Sequence, residues 1–174
     1  MAEEEKIPKT FISYSWDSEE HKEKMLELAQ TLRDSGVDCA LDQFETSPEE
    51  GWAKWMINQV EQADYVLMVC TETYHRRAMG HEEAGKGKGV TWEGAVITNI
   101  IYNSNTRNNK FIPVLFNPDD QKYIPIFLGS NTFYVLDKFE FGGTGFERCY
   151  RHITQQPEVE KKQLGKKVIL PKKK

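Results

Sequence analysis

No stretch of the 174-residue chain approaches the ~20 continuous apolar residues that a membrane-spanning helix needs. The amino-terminal MAEEEKIPK is acidic and lacks an apolar core segment, so a secretory signal is not expected. Cysteine is scarce, and Cys39, Cys70 and Cys149 lie far apart without metal-like spacing. Buried thiols in a reducing, cytoplasmic compartment are the simple expectation. His21, His75, His81 and His152 do not cluster with cysteines or acids at ligand spacing, so a catalytic metal is not expected. No glycine-rich phosphate fingerprint follows the first apolar run, and no Walker loop occurs anywhere. Neither Ser15 nor Cys70 sits in a nucleophile elbow, which removes support for acyl transfer.

What is present fits one folded body. A hydrophobic fraction of 39% and an aromatic fraction of 11% argue against disorder, and the length suffices for a substantial core. The formal charge of -4 hides an asymmetry, because seven lysines and no acid follow Glu160. Subtracting that +7 leaves -11 for residues 1 to 160, a poor charge for binding nucleic acid. The division expected is a flexible amino terminus over 1–9, a domain over 10–156 and a basic linker or tail over 157–174. The ending KKVILPKKK leads one to expect a further domain beyond it.

Residues 10 to 14, TFISY, carry a buried strand signal, and Ser15 to Ser18 supply turn and cap chemistry. Met25, Leu28, Ala29 and Leu32 recur at helical period until Ser35-Gly36 stops the run, and Val37 to Leu41 is a second strand. Strand, helix, glycine turn and strand over about thirty residues is a βαβ signature, which implies a parallel sheet. An acidic loop, residues 42 to 51, precedes a helix with Trp52, Trp55, Met56, Val60 and Ala63 on one stripe, expected in the core. YVLMVC after Asp64 is continuously apolar and belongs in the sheet centre. A polar, basic segment follows through His75, Arg76 and Arg77. KFIPVLF is a fourth strand, Thr132 to Leu136 a weaker edge strand, and Phe146, Cys149, Tyr150 and Ile153 mark a last helix. The fold class expected is α/β, a flavodoxin-like three-layer sandwich with a central parallel sheet of about five strands.

The stretch GKGKGVTWEGAVITNIIY, residues 85 to 102, opens as a glycine-lysine loop and becomes an apolar helix at Trp92. Its glycines lose much conformational entropy on ordering, so mobility is expected until something pins the loop. Glu93 falls in the first turn of the helix, where a carboxylate also simply complements the helix dipole. The helix body is apolar around much of its circumference, which predicts either deep packing or cover by another molecule.

TFISYSWDSEEH, VDCALDQFE, ADYVLMVCTETYHRR, KGKGVTWEGAVIT and KFIPVLF, taken in order, resemble the SEFIR domains. These are the branch of the TIR-like superfamily found in interleukin-17 receptor signalling and in bacterial proteins. The resemblance runs from about Thr10 to Tyr150, and its inserts suggest a prokaryotic member. It implies association with other SEFIR or TIR-like domains, copies of the same chain included. It also implies a second function, because many TIR relatives cleave NAD+ at the nicotinamide-ribose bond using one glutamate on the helix after the third strand. Glu93 occupies that region, although Trp92 directly precedes it, where enzymatic relatives carry a tryptophan several residues earlier.

Such chemistry tolerates a sparse site. Nicotinamide leaves as a neutral molecule, and one carboxylate can hold the ribose hydroxyls and balance oxocarbenium charge. On that reading Glu93 is catalytic, and Tyr14, Ser15, Trp16, Phe44, Arg76 and Trp92 are the candidate nucleotide-binding residues. The aromatic rings would cover nicotinamide or adenine, and Arg76 or Arg77 would face phosphates. NAD+ is then a substrate, with no tightly bound cofactor expected.

Overall fold

The computed structural model of the chain describes residues 5–79, 110–128 and 132–174. Its centre is a sheet of strands β1 (Lys9–Ser13), β2 (Asp38–Ala40), β3 (Tyr65–Val69), β4 (Phe111–Leu115) and β5 (Tyr134–Val135). The order is β2-β1-β3-β4-β5 and every pairing is parallel. Helices α1 (Glu19–Asp34), α2 (Trp52–Gln62), α3 (Glu72–Ala78) and α4 (Gly145–Thr154) flank it. The molecule is therefore α/β, with the five-stranded parallel sheet of a flavodoxin-like sandwich.

The continuous apolar strands are explained by their two covered faces. Ile12, Leu67, Val69, Ile112 and Val114 enter one core layer with Met25, Leu28 and Leu32 of α1 and Phe146, Cys149 and Ile153 of α4. Their neighbours along the chain, Phe11, Val66, Met68, Phe111 and Leu115, enter the other layer with Trp55, Val60 and Tyr74. Alternate residues thus feed opposite layers, which is why β3 and β4 read as continuously apolar, while β1 keeps two buried polar side chains, Thr10 and Ser13. Each fully buried large side chain in these layers contributes about 1.5–3 kcal/mol of transfer free energy.

Local chemistry sets the element ends. The Ser18 hydroxyl accepts from the His21 N–H at 3.0 Å, capping α1, and Glu19 and Glu20 follow in its first turn. Gly36, at φ 86°, then reverses the chain, and Val37 N–H donates to Leu32 C=O at 3.0 Å. Pro113 sits inside β4, where a proline ordinarily breaks a ladder. Lys110 and Val114 turn their carbonyls to β3, so Pro113 faces the β5 side, where pairing begins only at Val114. The missing N–H therefore costs no ladder bond.

Two details depart from expectation. The segment after β3 is a helix, α3, because Thr71 caps it through its hydroxyl (Tyr74 N–H to Oγ1, 3.2 Å) and Tyr74 is buried. Trp52, expected in the core stripe of α2, is exposed instead. It is the first helical residue, before the stripe has turned inward, and it packs edge-on against buried Trp55 at 5.6 Å. The glycine-lysine loop and the helix expected from Trp92 lie outside the described residues. Residues 157–174 run without regular secondary structure and are exposed throughout.

Candidate functional site at the carboxyl edge of the sheet

In the order β2-β1-β3-β4-β5 the chain winds in opposite directions from β1 and β3, so the loops leaving those strands stand at the switch point where open α/β sheets form their ligand crevice. The first loop carries Tyr14, Ser15, Trp16 and Asp17, and the second carries Cys70 and Thr71 before α3. The two meet directly: Ser15 Oγ lies 3.3 Å from Thr71 Oγ1. Ser15 also donates to the Asp17 carboxylate. Two residues before Ser15, Ser13 Oγ and the Tyr74 hydroxyl are 2.8 Å apart in the interior, which fixes α3 against β1.

Asp42, the second residue beyond the end of β2, organises the other side. Its Oδ1 accepts from the Tyr14 hydroxyl at 2.7 Å and its Oδ2 from the Trp16 indole N–H at 2.9 Å. Gln43 donates through Nε2 to the Tyr14 oxygen at 3.0 Å and to the Lys22 carbonyl at 2.8 Å. Lys22 in turn places its ammonium 4.3 Å from the Trp16 ring centroid. The outcome is a tied pair of loops with a buried tyrosine beneath and a 61% exposed tryptophan above.

The electrostatics follow from that packing. Burial, then the hydrogen bond to Asp42 and its charge, hold the Tyr14 hydroxyl well above its ordinary range, so it stays a neutral donor. His21 lies 6.0 Å from both the Tyr14 and Phe116 rings. Its Nε2 is buried with no hydrogen-bond partner among the described residues. Burial, opposed by Asp17 and assisted by Lys24, lowers its proton affinity. Across the crevice the Asp120 carboxyl is held above its usual range by burial and by Asp119, with Lys122 opposing and Asp17 adding.

Of the candidate residues, Tyr14, Ser15 and Trp16 come together in one network. Phe44 ends the short 3-10 turn that begins at Asp42 and is 41% exposed, beside the network but not bonded into it. Arg76 is exposed on α3, with no hydrogen bond or ion pair to this network among the described residues. Glu93 and Trp92 lie outside the described residues. Asp42, Gln43 and Thr71 are the organising side chains that sequence reasoning did not single out. A carboxylate at the end of a buried strand, in a loop facing two aromatic residues, was the available signal. Among the described residues no group of three His, Cys, Asp or Glu side chains is arranged to hold a metal ion. No described helix is long and apolar enough to cross a membrane.

The fold defines a flavodoxin-like α/β domain with its candidate site at the switch point of the sheet. More particularly, the SEFIR domain model matches residues 8–140, and the chain belongs to the SEFIR family. A solved structure described as a prokaryotic SEFIR domain is similar at 29% identity with a TM-score of 0.58. That similarity covers 86% of this chain and 97% of the other. No curated protein matches the chain.

Proposed function

We propose that this chain is a homotypic interaction module of a signalling pathway, associating with further copies of itself or with other SEFIR domains. The observation that carries the reading is an exposed, aromatic edge mounted on a rigid frame. Trp16, Phe44 and Trp52 are each more than two-fifths exposed, and all three stand in or next to the loops leaving β1 and β2. Large aromatic side chains at a surface are what protein interfaces use as anchors. The crevice polar groups beneath them are bonded to one another, so the edge is a platform rather than a loose loop cluster. Light scattering across a concentration series tests this. Mass should rise above that of one chain by hundreds of micromolar, and a chain that stays monomeric alone and with a second SEFIR domain would overturn it.

A second reading, NAD+ cleavage, is supported by one different observation. The crevice lies at the point where strand order reverses, which is where open α/β sheets take nucleotides. On this reading Tyr14, Ser15, Trp16 and Phe44 line the base, Arg76 faces phosphate, and Glu93 beside Trp92 supplies the carboxylate. Nicotinamide release from NAD+ by an assembled sample, abolished by Glu93→Gln, is the expected result. Equal release by the two proteins removes Glu93 from the role, and no release from an assembled sample removes the activity.

A further inference from the structure

We infer that Trp16 is the anchor of the homotypic contact, and that what it receives is the basic end of α3, centred on Arg76, of a second copy. This rests on the homotypic reading above and adds the two surfaces that meet.

Trp16 is unusual among the exposed apolar side chains because it is both open and held. The indole N–H is bonded to Asp42 at 2.9 Å and one ring face is met by Lys22 at 4.3 Å, yet 61% of the residue remains exposed. A side chain already fixed in this way loses little further conformational freedom when a partner covers it. Asp42 is itself fixed by Tyr14, which is buried, so the hold extends into the core. Phe44, two residues beyond Asp42, widens the aromatic surface.

The surroundings select the partner's charge. From Asp42 to Glu50 the chain carries Asp42, Glu45, Glu49 and Glu50 and no base. Glu45, Glu49 and Glu50 are exposed, with no ion-pair partner among the described residues. An exposed indole tied through Asp42 to a loop that goes on to carry exposed carboxylates is matched by a cationic side chain, and by guanidinium best, because it stacks flat on indole while its N–H groups reach carboxylates. Lys22 already demonstrates that this ring accepts a cation.

The same chain presents the complement. The last turn of α3 holds His75, Arg76 and Arg77 in succession. Arg76 is exposed and has no ion-pair partner among the described residues. The acidic-aromatic patch lies over β1 and β2, and α3 leaves from β3, the next strand in the sheet. A second copy therefore brings a basic patch built on the same rigid edge. Acidic patch to basic patch also orients the encounter, since like patches repel.

The test uses the 174-residue chain and sedimentation at low and high salt. Three variants are compared with wild type: Trp16→Ala, Arg76→Glu and the pair Glu49→Lys with Glu50→Lys. Circular dichroism and thermal melts verify that each is folded. Each variant should associate at least tenfold more weakly than wild type, and wild-type association should weaken as salt rises. The decisive arm mixes Arg76→Glu with the double lysine variant. Each carries only one sign of patch and fails alone, whereas the mixture restores opposite patches and should associate again. Wild type that assembles with all variants unchanged, or a mixture that stays apart, overturns this contact while leaving homotypic association standing. Wild type that never assembles alone overturns this contact, and if it also fails to bind a second SEFIR domain the homotypic reading falls with it.

Discussion

Gly145, the first residue of α4, is a position where two effects compete and the structure decides between them. Glycine is the poorer helix former, so Gly145→Ala should gain up to about 1 kcal/mol from propensity alone. Nothing in its backbone opposes the change, because Gly145 is not among the positive-φ glycines. Space does. A Cβ placed there would stand 1.9 Å from the Val135 carbonyl oxygen and 2.9 Å from its carbon. Ordinary contact needs the two to part by roughly 1.5 Å, taking about 3.4 Å as normal carbon-oxygen contact. Neither side yields cheaply. Val135 is held in β5 by its pairing with Leu115, and α4 is pinned by Phe146, Cys149 and Ile153, each no more than 2% exposed. Overpacking of this kind costs about 1–3 kcal/mol, and a backbone-to-backbone clash falls at the upper end. The net expectation is a loss of about 2 kcal/mol, or roughly 4–8 °C in Tm for a chain of this size. Urea and thermal unfolding of Gly145→Ala beside Gly165→Ala, whose added Cβ meets nothing within 4 Å, is the measurement. A Gly145→Ala protein as stable as wild type or better would refute the reasoning, since propensity would then have won.

Asp42→Ala removes the acceptor of both Tyr14 and Trp16; with one of those donors buried, a loss of about 2–3 kcal/mol is expected from urea unfolding. Asp42→Asn, which keeps an acceptor oxygen, should lose distinctly less, and equal losses would show that the pair of bonds is not what Asp42 contributes. Burial depresses the proton affinity of His21 and of His152 below the ordinary 6.5. The unfolded chain therefore binds protons more readily, so stability is whole above pH about 6.5 and declines as pH falls toward the folded-state values. Urea midpoints at pH 7.5 and 5.0 should differ in that direction, less so in His21→Phe, and a midpoint that rises on acidification would contradict the assignment. Burial pushes the thiols of Cys39, Cys70 and Cys149 up to about 12. Native protein should resist alkylation at pH 8 over minutes and take three labels in urea, and rapid native labelling of any one would show that its cover opens.

The sheet was legible because its signals are strong and local. Four runs of apolar residues bounded by Gly, Pro, Ser and Asn have little alternative to buried parallel strands, and Ser35-Gly36 marks a stop with a defined chemistry. The short α3 was missed because its amphipathic pattern spans less than two turns; its formation depends on the Thr71 cap and on Tyr74 finding the interior beside Ser13. Trp52 was misplaced because a periodic stripe does not say where along it the helix meets the sheet. At the site, Tyr14, Ser15 and Trp16 were legible as residues leaving the carboxyl end of the first strand. What joins them was not, since Asp42 is 28 positions from Tyr14 and 26 from Trp16. Contacts at that separation come from strand order, which periodicity does not encode. Glu93 and Trp92 rest on family resemblance alone.

The groove at the opposite end of the sheet has a consequence for how the domain can be wired. Ile7 and Pro8, where the chain enters, and Gln155 and Gln156, where it leaves the last helix, line one cleft of about 680 Å³ with Ser35, Asp64 and Tyr65. Entry and exit are thus neighbours, on the pole away from the loops that hold Trp16 and Asp42. A fluorescent reporter, an affinity handle or a neighbouring module joined directly before Ile7 or directly after Gln156 would trail behind that aromatic edge instead of standing in front of it. The same adjacency makes the domain a natural insert: host polypeptide could arrive and depart through one doorway, with the working edge turned outward.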